Sequence, residues 1–154
     1  MEKPKHFLYP GAIYVSPKPS VITTILGSCI AICLYDPILQ VGGMNHFMLP
    51  LWNGQGLASP RYGNIAIEKL IHNLEAMGSV KSNVKAKVFG GAEIIATNIS
   101  QFMIGERNIK LAKDILHEEG IPIVSSSTGG KLGRKIIFNT QTGEVRQKYV
   151  GKQK

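Results

Sequence analysis

Residues 29–35, Cys29-Ile30-Ala31-Ile32-Cys33-Leu34-Tyr35, are apolar at every position, and Asp36-Pro37 ends the run. The run is far short of the roughly 18 residues that a membrane helix requires. Bounded by turn residues, it reads as a strand, whose successive side chains point to opposite faces. Cys29, Ala31 and Cys33 then share one face, and Ile30, Ile32 and Leu34 share the other. Both faces are apolar, so the strand must be covered on both sides. The chain therefore has to fold in layers, with this run in an inner one.

The flanking sequence supplies those layers. Short β-branched runs at 12–16 and 21–26 surround a proline turn, and 41–49 resumes in strand fashion, with Gly42 and Gly43 allowing a bulge or a close backbone approach. Ile67, Leu70, Ile71, Leu74 and Met77 recur at helical steps with Gly78 beyond them, which predicts a helix over 62–77. Residues 84–89 predict a strand running into Gly90-Gly91-Ala92. Ile109, Ala112, Ile115 and Leu116 form a helical stripe between Gly105 and Gly120. A strand at 121–124 follows, and 135–138 and 144–150 form a hairpin around Asn139-Thr140-Gln141-Thr142-Gly143. Strands interleaved with two helices predict an α+β (mixed α/β) fold of layered mixed sheets covered by two main helices on one side. Strict alternation of strand and helix fails and no phosphate-binding glycine loop is present, which argues against a doubly wound nucleotide fold.

With 154 residues, 44% of them hydrophobic, and a mean hydropathy of +0.03, the chain suits a single domain over 1–154 and is too apolar for disorder. Eighteen Lys and Arg against ten acids give a net charge of +8, which favours acidic partners. Much of the excess lies near the ends, at Lys3, Lys5, Arg146, Lys148, Lys152 and Lys154, where solvation of the termini is the plainer reading. Pro10 and Gly11 interrupt the basic N-terminus before any apolar signal region, and a cytoplasmic protein with reduced thiols is expected. The glycosylation sequon Asn98-Ile99-Ser100 then carries no chemistry. Two cysteines four residues apart, without a second pair at ligand spacing, predict no metal site.

Chemistry at neutral pH points to Cys29, placed by Gly27-Ser28 where a turn enters the buried strand. An unperturbed thiol titrates at about 8.5 and needs a base, and backbone amides at such a turn can face an oxyanion. Gly27 and Ser28 are accordingly site-shaping candidates. His46, in the next strand, is the candidate base if the two strands neighbour one another. Burial as an ordinary core cysteine is the competing reading. Cys33, on the same face without the glycine turn, is read as packing; His6, His72 and His117 fall on a terminus or on helix surfaces.

Leu26-Gly27-Ser28-Cys29-Ile30-Ala31-Ile32-Cys33-Leu34-Tyr35-Asp36-Pro37 and Gly43-Met44-Asn45-His46-Phe47-Met48-Leu49-Pro50 resemble the chemotaxis family CheD, the receptor glutamine deamidases. The likeness continues in order through Arg61-Tyr62-Gly63, Gly90-Gly91-Ala92, Ile104-Gly105-Glu106-Arg107-Asn108, Thr128-Gly129-Gly130 and Phe138-Asn139-Thr140-Gln141-Thr142-Gly143. The resemblance implies a cysteine hydrolase related in fold to the cytotoxic necrotizing factor deamidases. It implies Cys29 as nucleophile, His46 as general base and Thr23 as the residue that orients the histidine. Thr24 is the neighbouring alternative: Thr23 shares strand parity with Cys29, but the turn at Gly27 weakens that test.

The resemblance further implies hydrolysis of glutamine to glutamate on methyl-accepting chemotaxis receptors, with no metal or organic cofactor. It implies CheC as a partner; no nucleic-acid partner, no membrane insertion and a monomer are expected. A CheC-binding regulator without catalysis is the alternative. Nucleic-acid binding has one motif in its favour, Gly130-Lys131-Leu132-Gly133, which matches the GXXG loop of KH domains. The preceding Ser125-Ser126-Ser127-Thr128 is unlike the apolar helix such a loop needs. The glycine-rich loop 51–60 directly follows the His46 segment and is expected to shape a substrate entrance.

Overall fold

The computed structural model describes residues 3–93 and 103–151; the sequon at Asn98 lies outside them. In chain order the elements are β1 (Lys5–Phe7), β2 (Ile13–Ser16), β3 (Val21–Leu26), β4 (Ile30–Asp36) and β5 (Val41–Phe47), then α1 (Gly63–Ala76), β6 (Lys85–Gly90), α2 (Ile104–Glu118), β7 (Ile123–Thr128), β8 (Gly133–Asn139) and β9 (Val145–Val150). They form a four-stranded sheet in the order β1-β3-β8-β9 and a five-stranded sheet in the order β2-β5-β4-β6-β7. Both are mixed, because β1 joins β3 and β7 joins β6 in parallel while the other pairs are antiparallel.

The apolar run takes the place its composition demands. Ile30, Ile32 and Leu34 pack with Ile67, Leu70 and Leu74 of α1 and Ala112 and Leu116 of α2. Ala31 and Cys33, with Cys29 at the edge, pack against Ile22, Leu26, Ile136 and Phe138 of the other sheet. The molecule is thus three layers, sheet on sheet on helices, and β4 is central to the middle layer. The α+β reading holds, with the helices on one side.

The helices begin and end where their glycines and apolar stripes predict: Tyr62 and Met77 flank α1, and Gly78 and Gly120 follow the two helices with φ of 98° and 72°, the left-handed conformation that suits glycine. Gly43 allows close approach of β2, since a Cβ there would lie 2.7 Å from the Tyr14 carbonyl oxygen.

Two strands depart from expectation. β1 carries two polar residues in three and has no apolar period; its pairing with β3, Lys5 to Val21 through Phe7 to Thr23, makes it a strand. β7 starts later than 121–124 implies and runs on through Ser125, Ser126 and Ser127, which pair with Lys87, Val88 and Phe89 of β6. It is an edge strand and largely exposed, so serine costs it little packing. The GXXG sequence joins β7 to β8, two strands, and so lacks the helical setting of a KH loop.

Candidate active site

Cys29 immediately precedes β4, and β4 pairs with β5 so that Ala31 lies opposite His46 and Cys33 opposite Met44. Directly paired residues share a face. Cys29, Ala31 and Cys33 therefore lie on the same side of the sheet as Met44 and His46, the side turned toward β3. The neighbouring-strand arrangement expected for Cys29 and His46 is present.

The turn that carries Cys29 is held by backbone. Gly91 donates to the Cys29 carbonyl at 2.9 Å and Ala92 to the Gly27 carbonyl at 3.0 Å, extending the β4–β6 pairing beyond Gly90. A Cβ on Gly90, where φ is 109°, would collide with the Cys29 carbonyl, so only glycine lets β6 come this close. The Arg134 side chain, almost fully buried, donates to the Gly90 and Gly129 carbonyls at 2.8 and 2.6 Å. Asn108 of α2 adds a third anchor: its amide nitrogen donates to the Ser28 carbonyl at 3.0 Å and the Met48 carbonyl at 3.1 Å.

The two cysteines differ by their place along one face. Cys29 is partly exposed, while Cys33 is fully buried. Burial raises the Cys29 thiol above its ordinary range, partly offset by its own backbone N–H; for Cys33 burial pushes the thiol far higher, against a smaller opposing pull from Lys87. Neither is a resting thiolate at neutral pH, so Cys29 would need its proton removed during attack.

His46 is 2% exposed, and burial brings its pKa down to about 4, with the Leu8 carbonyl acting in the opposite direction. The imidazole is neutral at pH 7. Its Nδ1 lies 2.8 Å from the Thr24 hydroxyl, and that hydroxyl donates its only proton to the Leu8 carbonyl at 2.7 Å. Thr24 can then only accept from His46, so Nδ1 carries the ring proton and Nε2 keeps a lone pair. This is the tautomer a base needs.

The residue that meets the histidine is thus Thr24 and not Thr23. Ile22, Thr24 and Leu26 face the other sheet and are fully buried or nearly so, whereas Thr23 falls on the opposite face, in register with Phe7 and Ile137. Strand parity carried back from Cys29 fails because Gly27-Ser28 breaks the strand between β3 and β4 and resets which side each residue faces. Two further features lay beyond sequence reasoning: the Leu8 carbonyl, supplied by the chain just after β1, and the role of Asn108, visible beforehand only as part of the Ile104-Gly105-Glu106-Arg107-Asn108 motif.

Loop 51–60 is mostly exposed, and Leu49, Pro50 and Leu51 line an open groove of about 460 Å³ with Tyr62, Arg107 and Leu111. Among the described residues no group of three or more His, Cys, Asp and Glu side chains could hold a metal ion, and no helix is long and apolar enough to cross a membrane.

Comparison with known proteins places the chain. The family model described as CheD chemotactic sensory transduction matches residues 48–149. A protein of Trichlorobacter lovleyi named "Probable chemoreceptor glutamine deamidase CheD" is 54% identical over 92% of this chain and 88% of its own length. One of the same name from Sulfurimonas denitrificans is 50% identical over 99% and 98%, and one from Rhodospirillum rubrum 43% identical over 92% and 80%. The Sulfurimonas alignment takes in 153 residues, so the Cys29 and His46 segments fall inside the likeness although the family model begins at Met48. A solved structure titled Bacillus licheniformis hypothetical protein YfiH is a weaker match, with a TM-score of 0.48, 15% identity, and 75% of this chain and 49% of that chain covered. The sequence likeness extends over nearly the full length of both partners at up to half identity or more, and on that ground the chain belongs to the CheD family of chemotactic sensory transduction proteins.

Proposed function

We propose that the protein is a hydrolase that converts glutamine side chains of chemoreceptors to glutamate, with Cys29 as nucleophile, His46 as general base and Thr24 as the residue that orients it. The relatives are named for that activity. The observation that carries the reading is the Leu8–Thr24–His46 chain of hydrogen bonds, which leaves Nε2 as acceptor on the face that also bears Cys29.

In this reaction Nε2 of His46 takes the Cys29 thiol proton as Sγ bonds to the carboxamide carbon, and the carbonyl oxygen becomes an oxyanion. The backbone N–H groups of Ser28 and Cys29 supply oxyanion donors; neither donates to a backbone carbonyl among the described residues. The intermediate collapses with breakage of the C–N bond, the imidazolium protonates the leaving nitrogen, and ammonia departs from a thioester. His46 then takes a proton from water, hydroxide adds to the thioester, and the C–S bond breaks to give glutamate and the free thiol. Thr24 holds the ring and accepts from Nδ1–H throughout, which favours the imidazolium formed in each half.

Methyl-accepting receptors are the substrate, and their acidic helical bundles suit a chain of charge +8. The protein acts in the cytoplasm as a monomer, and CheC is a partner where it occurs. The test is mass spectrometry of receptor cytoplasmic fragments incubated with wild type and with a folded Cys29→Ala variant. Conversion of glutamine to glutamate by wild type alone is expected. No conversion by either, with CheC still bound, would replace the enzyme with a non-catalytic regulator.

A further inference from the structure

Asn108 is completely buried in the second turn of α2, a helix whose other inward residues are glycine and hydrocarbon. A polar side chain in such a place needs partners, and half of this one has none: both amide protons are used, on Ser28 and Met48, while Oδ1 is buried without a donor. The orientation is forced, because two backbone carbonyls can only accept and the NH2 group must face them. The molecule thus tolerates an orphaned acceptor in order to place two donors at one point.

That point joins the two halves of the site. Ser28 is the residue before Cys29, and Met48 is two residues after His46. The Ser28 and Met48 carbonyls lie at neighbouring ends of β4 and β5, outside the ladder that runs from Ile30–Phe47 to Asp36–Val41. Beyond Ile30 and Phe47 no backbone hydrogen bond joins the two segments among the described residues, and the Asn108 amide spans them instead.

We propose that Asn108 is a positioning residue for the reaction: its NH2 group sets the separation of the Cys29 turn from the end of the His46 strand, and so the distance over which the thiol proton is transferred. This rests on the roles proposed above for Cys29 and His46. Misplacing reacting groups by about 1 Å can cost up to about a hundredfold in rate, whereas substrate binding draws on surfaces that Asn108, being buried, does not touch.

The experiment compares wild type, Asn108→Ala, Asn108→Asp and Asn108→Ser on receptor fragments, with iodoacetamide labelling of the two cysteines located by mass spectrometry. Cys33 is fully buried and becomes labelled only on unfolding, so it reports global opening in the same sample. Asn108→Ala is expected to lower kcat by about tenfold to a hundredfold with KM within about twofold, Cys29 labelled at least as fast as in wild type and Cys33 protected. Asn108→Asp keeps the shape, has no donor as a carboxylate and at most one when protonated, and is expected to be impaired. Asn108→Ser keeps one donor and is expected to fall between; it also serves if the alanine variant does not fold. Leu116→Ala, a deletion in the core face of the same helix, should lower stability with kcat per folded molecule unchanged.

Wild-type kcat in the aspartate or serine variant, an equal kcat loss in Leu116→Ala, or a loss seen only where Cys33 is labelled would each overturn the proposal. If wild type itself converts no glutamine, the catalytic reading fails first and this one falls with it.

Discussion

The two faces of β4 make opposite use of one strand. Toward the helices, Ile30, Ile32 and Leu34 are sealed among aliphatic side chains of α1, α2 and β6, and the buried Asn45 beside them accepts from the Ile32 N–H at 3.0 Å. Toward the second sheet, small residues, Ala31 and Cys33, leave room for His46 and Thr24 beside them, and the row ends in a partly exposed Cys29. The first face is a store of stability; the second gives up packing volume to hold a neutral imidazole in one tautomer on the face that ends in the Cys29 thiol. Stability and chemistry are thus separated by one residue of strand alternation, and substitutions on alternate positions should report on different properties.

The largest effect expected from breaking that separation is on the helix side. Ile32→Ala should cost about 2 to 5 kcal/mol, as for other large core deletions, seen as a drop in the denaturation midpoint, with kcat of the folded fraction unchanged. A comparable kcat loss would show that the two faces are not independent.

Acid should act through the other face. The His46 pKa is about 6.5 in an unfolded chain and about 4 in the folded one. Between these values the unfolded chain binds a proton that the folded chain refuses. The His46 contribution is therefore fully present above about pH 6.5 and falls as the pH drops, by roughly 3 kcal/mol on reaching pH 4. Urea denaturation across that range should show the decline, and His46→Gln should flatten it; an equal slope in the variant would assign it to other groups.

Smaller, but sharper about the site, is the pair Thr24→Val and Thr23→Val. The first strips both hydrogen bonds from the Leu8 and His46 partners and should lower kcat by about tenfold or more, the usual scale for losing a group that supports general-base catalysis. The second changes a side chain on the far face of β3 and should leave kcat within about twofold. The reverse order would reinstate Thr23. Least affected should be a variant shortened within loop 51–60 with its fold intact, which should raise KM on receptor fragments several-fold; unchanged turnover and KM would remove the loop from the entrance.

How far these residues speak for themselves in the sequence depends on whether a local pattern carries the information. The apolar run gave both faces of β4 correctly, because alternation within one strand needs no knowledge of the rest. The stripe from Ile67 to Met77 with Gly78 beyond it fixed α1 almost to the residue for the same reason. The resemblance implies Thr23, and strand parity cannot decide between Thr23 and Thr24 because the turn at Gly27-Ser28 does not preserve it. β1 and the serines of β7 are strands only by virtue of their partners, β3 and β6. The contacts of Asn108, 80 residues from Ser28 and 60 from Met48, lie beyond any local signal.

Long-range proton–nitrogen correlation NMR of the His46 ring at pH 7 tests the central claim most directly, because the tautomer follows from Thr24 donating to Leu8 and accepting from His46. The spectrum of a neutral ring with the proton on Nδ1 is expected, unaltered in Thr23→Val and lost in Thr24→Val. A ring protonated on Nε2, or charged at that pH, would contradict the account, since neither could take the proton of Cys29 from that side.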